Sequence, residues 1–304
     1  MIFFSRLLIA ATLCCFALPA ISFWQSRDSN YNVSIGGAPA YSGPGDVVSG
    51  AKAWWGLRAY NSAAKGTPAV NVCNVSDIAC ADLSTDAVTG ALVISSIGGS
   101  SCSIVTCTIK TWYDQSGALA CSGGTACNVT QATIGTRSTL VVSCISSLPC
   151  AATSNVAGAT ATNGLTSGIS QPFTISAVGN RTGNTSSFQD LLSIDNNDIQ
   201  TGFSNSTNTS LMFAGSVTSA TASDSSFHAL QHVYNGASSV LGVDGTESTV
   251  NPGTNVPAAG GKFSIPGVSN VLTGQATEVG IWSGGFSSGQ RTSMNSNQHS
   301  YWGF

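Results

Sequence analysis

The segment FHALQHVYNGASSVLGVDG, residues 227–245, carries the clearest structural signal in the chain. Its two halves, 227–234 and 239–243, are short and rich in aromatic and β-branched residues, which is typical of β-strands. Asn235 and Gly236 separate the halves, and Asp244-Gly245 ends the second one with a dipeptide that favours a two-residue hairpin. The segment therefore predicts consecutive strands that continue into an antiparallel hairpin.

The same pattern extends to both sides of this segment. Further candidate strands, separated by Gly, Asn or Ser, cover residues 172–178, 191–194, 210–214, 262–265 and 276–282. Shorter β-branched runs precede them at 91–97, 104–112 and 139–144. Such a series of short strands is typical of a sandwich or a barrel. The sequence predicts one all-β sandwich domain over residues 51–304, preceded by a linker over residues 23–50.

Two short helices are expected beside the strands. Residues 51–60, AKAWWGLRAY, place Trp54, Leu57 and Arg58 at helical spacing. Ser287 and Gln290 form a capping-box pattern, which predicts a short C-terminal helix over residues 290–301.

Composition excludes several classes of protein. Of the 304 residues, 8% are charged and 42% are hydrophobic. The apolar content argues against a disordered chain, and the scarcity of Glu, Lys and Arg argues against long helices and coiled coils. The net charge of −3 and the lack of a Lys/Arg cluster argue against a nucleic-acid partner.

The first 22 residues have the layout of a secretory signal peptide. A short basic start is followed by an apolar run over residues 7–18, then by Pro19, Ala20 and Ser22. The alternative is an uncleaved anchor, but the run is shorter than the ~20 apolar residues that span a bilayer. We therefore expect a secreted, periplasmic or extracellular protein with no stable membrane span after cleavage.

Ten cysteines fit an oxidising destination. Two lie in the predicted signal peptide, and eight thiols permit about 105 pairings. Local pairing is the simplest, and it gives Cys73–Cys80, Cys102–Cys107, Cys121–Cys127 and Cys144–Cys150. Structural zinc is the alternative, but it needs closer cysteine pairs or nearby histidines. We expect neither a metal nor another cofactor.

Two parts of the chain resemble known families. The downstream half, with the Asp-Gly hairpin followed by LTGQATEVGIW at residues 272–282, resembles the concanavalin-A-like or laminin-G-like β-sandwich. The upstream segment CSIVTCTIKTWYDQSG, residues 102–117, resembles the catalytic domain of α-L-arabinofuranosidase B, which has a similar cysteine pair before a YDQSG motif. NVTQA at 128–132 and WGLRAY at 55–60 are similar to two further segments of that family. Because that domain is itself a concanavalin-A-like sandwich, both resemblances imply the same jelly-roll fold.

The arabinofuranosidase resemblance implies hydrolysis by two carboxyl groups, about 5–5.5 Å apart in a retaining enzyme. The strand that corresponds to the family's nucleophile strand reads TSLMFAG, residues 209–215, and contains no acid. The approximate counterpart of its acid/base loop reads PGVSN, residues 266–270, and contains none either. The family's adjacent cysteines have a counterpart only at Cys14 and Cys15, within the signal peptide.

The remaining acids supply the catalytic candidates Asp195, Asp224 and Glu278. Asp195 approximately matches an aspartate in the family's FDYGN motif, and Glu278 matches a non-catalytic glutamate. The alternatives are a turn position for Asp195 and a structural hydrogen bond for Glu278, since a buried carboxylate needs a partner.

Substrate binding is assigned to the residues around the YDQSG motif, which are Trp112, Tyr113, Asp114 and Gln115. Asp114 has an alternative role, in which its carboxylate caps the turn at residues 115–117. Trp112 also has one, since most tryptophans of a sandwich lie in the core.

These inferences leave three functional classes. The first is a secreted glycoside hydrolase that removes terminal α-L-arabinofuranosyl units from arabinose-containing polysaccharides. The second is a non-catalytic, lectin-like module that binds a carbohydrate, such as a surface glycan, or mediates adhesion. The third is a structural exported protein with no sugar ligand.

Overall fold

A computed structural model of the chain describes residues 40–97, 107–154, 158–183, 188–195, 198–204, 209–222, 225–267, 270 and 272–304. Residues 40–304 form one compact unit. The predicted signal peptide, and the predicted linker as far as residue 39, lie outside the described residues. Within residues 40–304, as far as they are described, neither α-helix has the length and apolar character that a bilayer span requires.

The described residues form eighteen strands and two α-helices. The helices are α1 (Pro44–Val47) and α2 (Ser288–Trp302). The strands of the upstream half are β1 (Ala51–Gly56), β2 (Pro68–Cys73), β3 (Cys80–Ser84), β4 (Thr108–Trp112), β5 (Val129–Thr130), β6 (Thr139–Ile145), β7 (Leu148–Ser154) and β8 (Ala159–Ala161). Those of the downstream half are β9 (Phe173–Arg181), β10 (Gln189–Ile194), β11 (Ile199–Ser204), β12 (Thr209–Phe213), β13 (Val217–Ala222), β14 (His228–Tyr234), β15 (Ser239–Val243), β16 (Thr246–Val250), β17 (Phe263–Ile265) and β18 (Thr273–Ser283).

The strands form two antiparallel layers. The first layer has the order β16-β15-β14-β9-β18-β1. The second has the order β13-β12-β11-β10-β17-β8-β5-β4-β2-β3. The β6–β7 hairpin connects them, because β7 pairs with β18 and β6 pairs with β4. This is the predicted all-β sandwich.

Side chains from both layers meet in a common core. Trp55 of β1 packs edge-on against Phe263 of β17, with ring centroids 5.0 Å apart. Polar pairs also cross between the layers: the Tyr234 and Thr201 hydroxyls lie 2.6 Å apart. Because Tyr234 is fully buried, this hydroxyl needs such a partner. The interior is therefore apolar with a few satisfied polar contacts.

The predicted hairpin and the downstream strands are confirmed, whereas the upstream run at 91–97 forms a 3-10 helix over Ile94–Ile97 instead of a strand. Val243 pairs with Thr246, and both Asp244 (φ 50°) and Gly245 (φ 79°) have positive φ, as a type I′ turn requires. Each of the seven downstream candidate strands coincides with a strand of the structure, namely β9, β10, β12, β14, β15, β17 and β18. The strands β11, β13 and β16 lie between them and add to the meander.

The C-terminal helix is confirmed, with its predicted capping box. The Gln290 backbone N–H donates to Ser287 Oγ, and the Gln290 side chain accepts from the Ser287 backbone N–H. Gly303 ends α2 with a positive φ of 73°. Gln298 of α2 donates to Ser176 Oγ of β9, so the helix lies on the outer face of the first layer.

The predicted helix over residues 51–60 is wrong. Residues 51–56 form strand β1, which pairs with β18 along its length. The spacing of Trp54, Leu57 and Arg58 resembled a helix because the segment is buried on nearly every side and its apolar residues do not alternate. Pairing with β18 outweighs the weak local preference. The nearby short helix is α1, within the segment predicted as a linker.

Three of the four predicted disulfides are present among the described residues. Cys73–Cys80 closes the β2–β3 hairpin, Cys144–Cys150 closes the β6–β7 hairpin, and Cys121–Cys127 closes a loop before β5. The predicted Cys102–Cys107 pair includes Cys102, which lies outside the described residues. Each observed bridge joins cysteines six or seven positions apart, so it fixes local loops.

A buried ion pair joins the ends of the domain. Arg58 Nε lies 2.5 Å from Glu278 Oε2, and Arg58 Nη2 lies 2.9 Å from Oε1. Gln298 Nε2 and Trp302 Nε1 of α2 donate to the same carboxylate at 2.9 and 3.0 Å. Both charged side chains are 0% exposed. Because a charge in this environment needs partners, the network requires β1, β18 and α2 together.

We expect Arg58→Leu to lower the free energy of unfolding by about 3–5 kcal/mol, because it leaves the Glu278 carboxylate buried without its counter-charge. Urea unfolding followed by tryptophan fluorescence measures the change. Arg291→Leu is the matched control, since it removes the more exposed Arg291–Glu247 pair, which we expect to contribute below about 1 kcal/mol. Equal losses in both variants would contradict the assigned importance of the buried pair.

Candidate functional site

A pocket of about 580 Å³ opens beside the YDQSG segment. Its walls come from the loop over residues 61–68, from Asp82 of β3, from residues 113–117 after β4, and from Ala126 and Asn128 near the Cys121–Cys127 disulfide. The pairing of β2 with both β3 and β4 places the first three walls side by side. The pocket is large enough for a small ligand such as a sugar residue.

Tyr113 contributes a neutral hydroxyl to one wall. Its Oη donates to Asp82 Oδ1 at 2.7 Å. Partial burial, followed by the neighbouring Asp82 carboxylate, raises the pKa of Tyr113 to about 12. The hydroxyl therefore remains protonated near neutral pH, and its ring forms an amphipathic surface toward the pocket.

Asp114 holds the motif against the core. Its Oδ1 accepts from the backbone N–H groups of Trp54 and Ser116, each at 3.0 Å, and its Oδ2 accepts from that of Cys127 at 3.0 Å. The bond from Ser116 is the turn cap considered in the sequence analysis. Burial raises the pKa of the Asp114 carboxyl, and these N–H donors oppose the rise. The carboxylate thus lines the pocket while it fixes the turn.

Gln115 is anchored to β1 on the opposite side. Its Nε2 donates to the Gly56 carbonyl at 2.9 Å, and its side chain is largely buried. Its Oε1 has no hydrogen-bond partner among the described residues. Trp112, the fourth residue assigned to substrate binding, is 2% exposed and packs in the main core, so the pocket walls do not include it.

Asp82, Asn61 and Asn128 line the pocket but were absent from the sequence assignment. Asn128 Oδ1 accepts from the Asp114 backbone N–H at 2.9 Å, which links two walls. Asn61 and Asp82 are far from the motif in sequence, and no local pattern identifies them. Asn128 begins the NVTQA segment that resembles the family, and this is the one sequence signal that was available.

Glu278, a catalytic candidate, is enclosed by donors. Its two oxygens accept from Arg58, Gln298 and Trp302, and its side chain is fully buried. This arrangement corresponds to the structural hydrogen bonding considered as its alternative role. No part of the carboxylate faces the pocket beside Tyr113.

Asp195, another catalytic candidate, occupies a turn after β10. Its φ is 54°, and its Oδ2 accepts from the Ala258 backbone N–H at 2.7 Å. Partial burial raises its pKa, and the Ala258 N–H opposes the rise. Asp195 is not among the residues that line the pocket. The third candidate, Asp224, lies outside the described residues.

The strand that the family resemblance assigned to a nucleophile is β12, and it carries a serine–histidine contact. Ser210 Oγ lies 3.0 Å from His232 Nε2 of β14. Both residues are 0% exposed, and burial lowers the pKa of His232 to about 3. The imidazole is therefore neutral near neutral pH, and the contact serves to satisfy buried polar groups between the layers.

Asp190 of β10 is a buried acid that the sequence analysis did not select. Its side chain is 0% exposed, and neither carboxyl oxygen has a hydrogen-bond partner among the described residues. Burial raises its pKa well above 3.8, although the nearby Asn270 side chain opposes the rise. Gly267 packs so closely that a Cβ there would lie 2.8 Å from Asp190 Oδ2. The carboxyl is therefore enclosed by the chain, and its burial favours the protonated form.

One group of described residues has metal-ligand spacing, namely Cys73, Asp77 and Cys80. Its two sulfurs form a disulfide, which removes them as thiolate ligands. Asp77 instead accepts from Arg137 Nη1 at 2.8 Å, and this contact lowers the pKa of its carboxyl. The group therefore ties the β2–β3 hairpin to residue 137.

Solved structures of arabinofuranosidases share this fold. A GH54 α-L-arabinofuranosidase soaked with a cyclic sulfate inhibitor matches 84% of the chain with a TM-score of 0.64 and 17% identity. An arabinofuranosidase complexed with arabinofuranosyl-α-1,2-xylobiose matches the same share with a TM-score of 0.62 and 17% identity. The chain covers 64% of each of these proteins. No family model and no curated protein matches its sequence. The similarity confirms the predicted β-sandwich and its arabinofuranosidase-like fold.

Asp190→Asn is expected to flatten part of the pH dependence of stability. Because the folded-state pKa of Asp190 lies above the ordinary 3.8, the folded state binds more protons than the unfolded state between the two values. The free energy of unfolding therefore falls as pH rises through that interval. Asparagine cannot ionise, so this decrease disappears.

Urea unfolding from about pH 4 to about pH 8 measures both curves. Asp86→Asn is the control, because hydrogen bonds from Thr89 and Val88 lower the pKa of Asp86 and its effect on the slope falls below this pH range. Parallel curves for wild type and Asp190→Asn would refute the assignment.

Proposed function

We propose that this protein binds carbohydrate in the pocket beside Tyr113, Asp114 and Gln115, without hydrolysing it. The observation that carries the proposal is the assembly of these three residues, from the arabinofuranosidase-like motif, around a single open pocket. Hydrogen-bonding side chains and a tyrosine ring on an otherwise small-residue wall are the surface that a sugar recognises.

The environments of the candidate catalytic acids support binding without hydrolysis. A glycosidase needs one carboxyl to donate a proton and another to act as nucleophile or base across the same bond. Glu278 is committed to Arg58 and α2, and Asp195 to the Ala258 N–H. In the pocket itself, Asp114 accepts three backbone N–H bonds, which leaves Asp82 as the freer carboxylate.

Export is part of the proposal. The signal-peptide layout of residues 1–22 directs a chain across a membrane, and disulfides persist in oxidising compartments. The observed bridges fit this destination. The ligand would then be an extracellular polysaccharide or a surface glycan, for which arabinose-containing polymers are the first to test, because the similar structures bind arabinofuranosyl compounds.

Retained α-L-arabinofuranosidase activity is the second candidate function. The fold shared with GH54 enzymes favours it. Both candidates predict binding of arabinofuranosyl oligosaccharides, and turnover of a chromogenic α-L-arabinofuranoside separates them.

The test combines a glycan array, titration calorimetry and the chromogenic assay on the purified mature chain. Ala63→Trp fills the pocket from an exposed position at its edge, and we expect it to weaken glycan binding by at least about tenfold. Ala87→Trp, at an exposed alanine outside the pocket, is the matched control and should bind as wild type.

We expect specific glycan binding and no turnover. Absence of binding to any glycan would refute the carbohydrate proposal. Turnover that Asp195→Asn abolishes would establish the hydrolase instead.

A further inference from the structure

Asp82 carries an unused acceptor at the mouth of the pocket. Its Oδ1 accepts from Tyr113 Oη and from Asn71 Nδ2, both at 2.7 Å. Its Oδ2 has no hydrogen-bond partner among the described residues, and the residue is exposed. Two donors therefore fix the orientation of the carboxylate while one oxygen stays open to a ligand.

The other open polar atoms of the pocket include both acceptors and donors. Tyr113 uses its proton on Asp82, so its hydroxyl oxygen can accept a further bond. Gln115 uses its Nε2 on Gly56, and its Oε1 is buried, so this side chain offers a ligand no open acceptor. The amide NH₂ groups of Asn61 and Asn128 and the Ser116 hydroxyl are donors, because the oxygens of these side chains accept backbone N–H bonds. The pocket can therefore exchange hydrogen bonds with sugar hydroxyls in both directions, and the open oxygen of Asp82 adds a place for a charged donor.

The charge of the pocket is uncompensated. Among the described residues that line it there are two aspartates, Asp82 and Asp114, and no Lys, Arg or His. Asp114 contacts three backbone N–H groups, whose dipoles offset its charge, whereas the open oxygen of Asp82 has no such neighbour. An anionic sugar, such as a uronic acid or a sulfated residue, would meet like charge here.

We propose that the ligand of this pocket is an amino sugar with a free ammonium group, held against Asp82 Oδ2. This assignment rests on the proposed carbohydrate-binding function and specifies the ligand class. The ammonium supplies three donors and the counter-charge, and a ring hydroxyl supplies a donor to the Tyr113 oxygen. N-acetylation removes the charge, so it disfavours binding.

An ion pair at an exposed pocket mouth contributes modestly to the binding free energy, and salt screens it. We therefore expect the free amine to bind about two- to fivefold tighter than its N-acetylated form at low ionic strength. At about 1 M salt, where the Debye length is near 3 Å, this preference should vanish.

The experiment titrates the mature chain with a β-1,4-linked glucosamine oligosaccharide, its fully N-acetylated counterpart of equal length, and a neutral arabinofuranosyl oligosaccharide. Asp82→Asn keeps the acceptor for Tyr113 and Asn71 but removes the charge, so we expect it to bind the amine and the N-acetylated sugar equally. Asp198→Asn, an exposed aspartate outside the pocket, changes the net charge identically and should keep the preference.

The outcomes separate the two proposals. An amine preference that Asp82→Asn and high salt both abolish supports the assignment. Equal or weaker binding of the amine, with a neutral sugar bound in a manner that Ala63→Trp blocks, overturns the amino-sugar assignment but leaves carbohydrate binding standing. No binding of any of the three sugars overturns the proposed function and the assignment with it. If Asp82→Asn fails to fold, the salt dependence of amine binding to the wild-type protein distinguishes the same outcomes.

Discussion

The ion pair between Arg58 and Glu278 is the interaction on which the rest of the structure depends. Two charges without water contact are tolerated because each one meets the other and the carboxylate also accepts from Gln298 and Trp302. The pair therefore fixes three elements at once: the end of β1, the middle of β18 and the last turns of α2. Tyr301 covers the guanidinium at 4.5 Å from its ring centroid, which completes the enclosure.

The pocket beside Tyr113 also depends on strand β1. The β1 backbone donates to Asp114 through Trp54 and accepts from Gln115 through Gly56. The Trp55 indole N–H donates to the Cys127 carbonyl at 2.8 Å, on the opposite wall. Asp114 and Gln115 of the YDQSG motif thus attach their loop to β1. Only the polar groups of the pocket that take no part in this attachment are available to bind a ligand.

The sequence predicted those structural elements that are determined by a few neighbouring residues. The downstream strands, the Asp-Gly turn and the capping box of α2 each depend on a few neighbouring residues, and each is present. The segment 51–60 was assigned to a helix because its pairing partner, β18, lies about 220 residues away. The local spacing of apolar residues does not indicate such a distant partner. The sequence selected only part of the pocket lining for the same reason. Residues 113–115 are contiguous, whereas strand pairing brings Asp82 and Asn128 next to them. Asp195 and Glu278 each had two roles open in the sequence, because burial and hydrogen-bond partners come from distant segments.

The position of α2 has a consequence for how the chain matures. Glu278 meets its donors Gln298 and Trp302 only after α2 has been synthesised, and its ion pair with Arg58 spans 220 residues of chain. Loops of this length close slowly, and strand pairing between distant segments delays folding further. Until translation has passed residue 302, water solvates both charges and the network stays open. Closure of the domain around this network therefore follows the synthesis of α2 and cannot accompany that of β1.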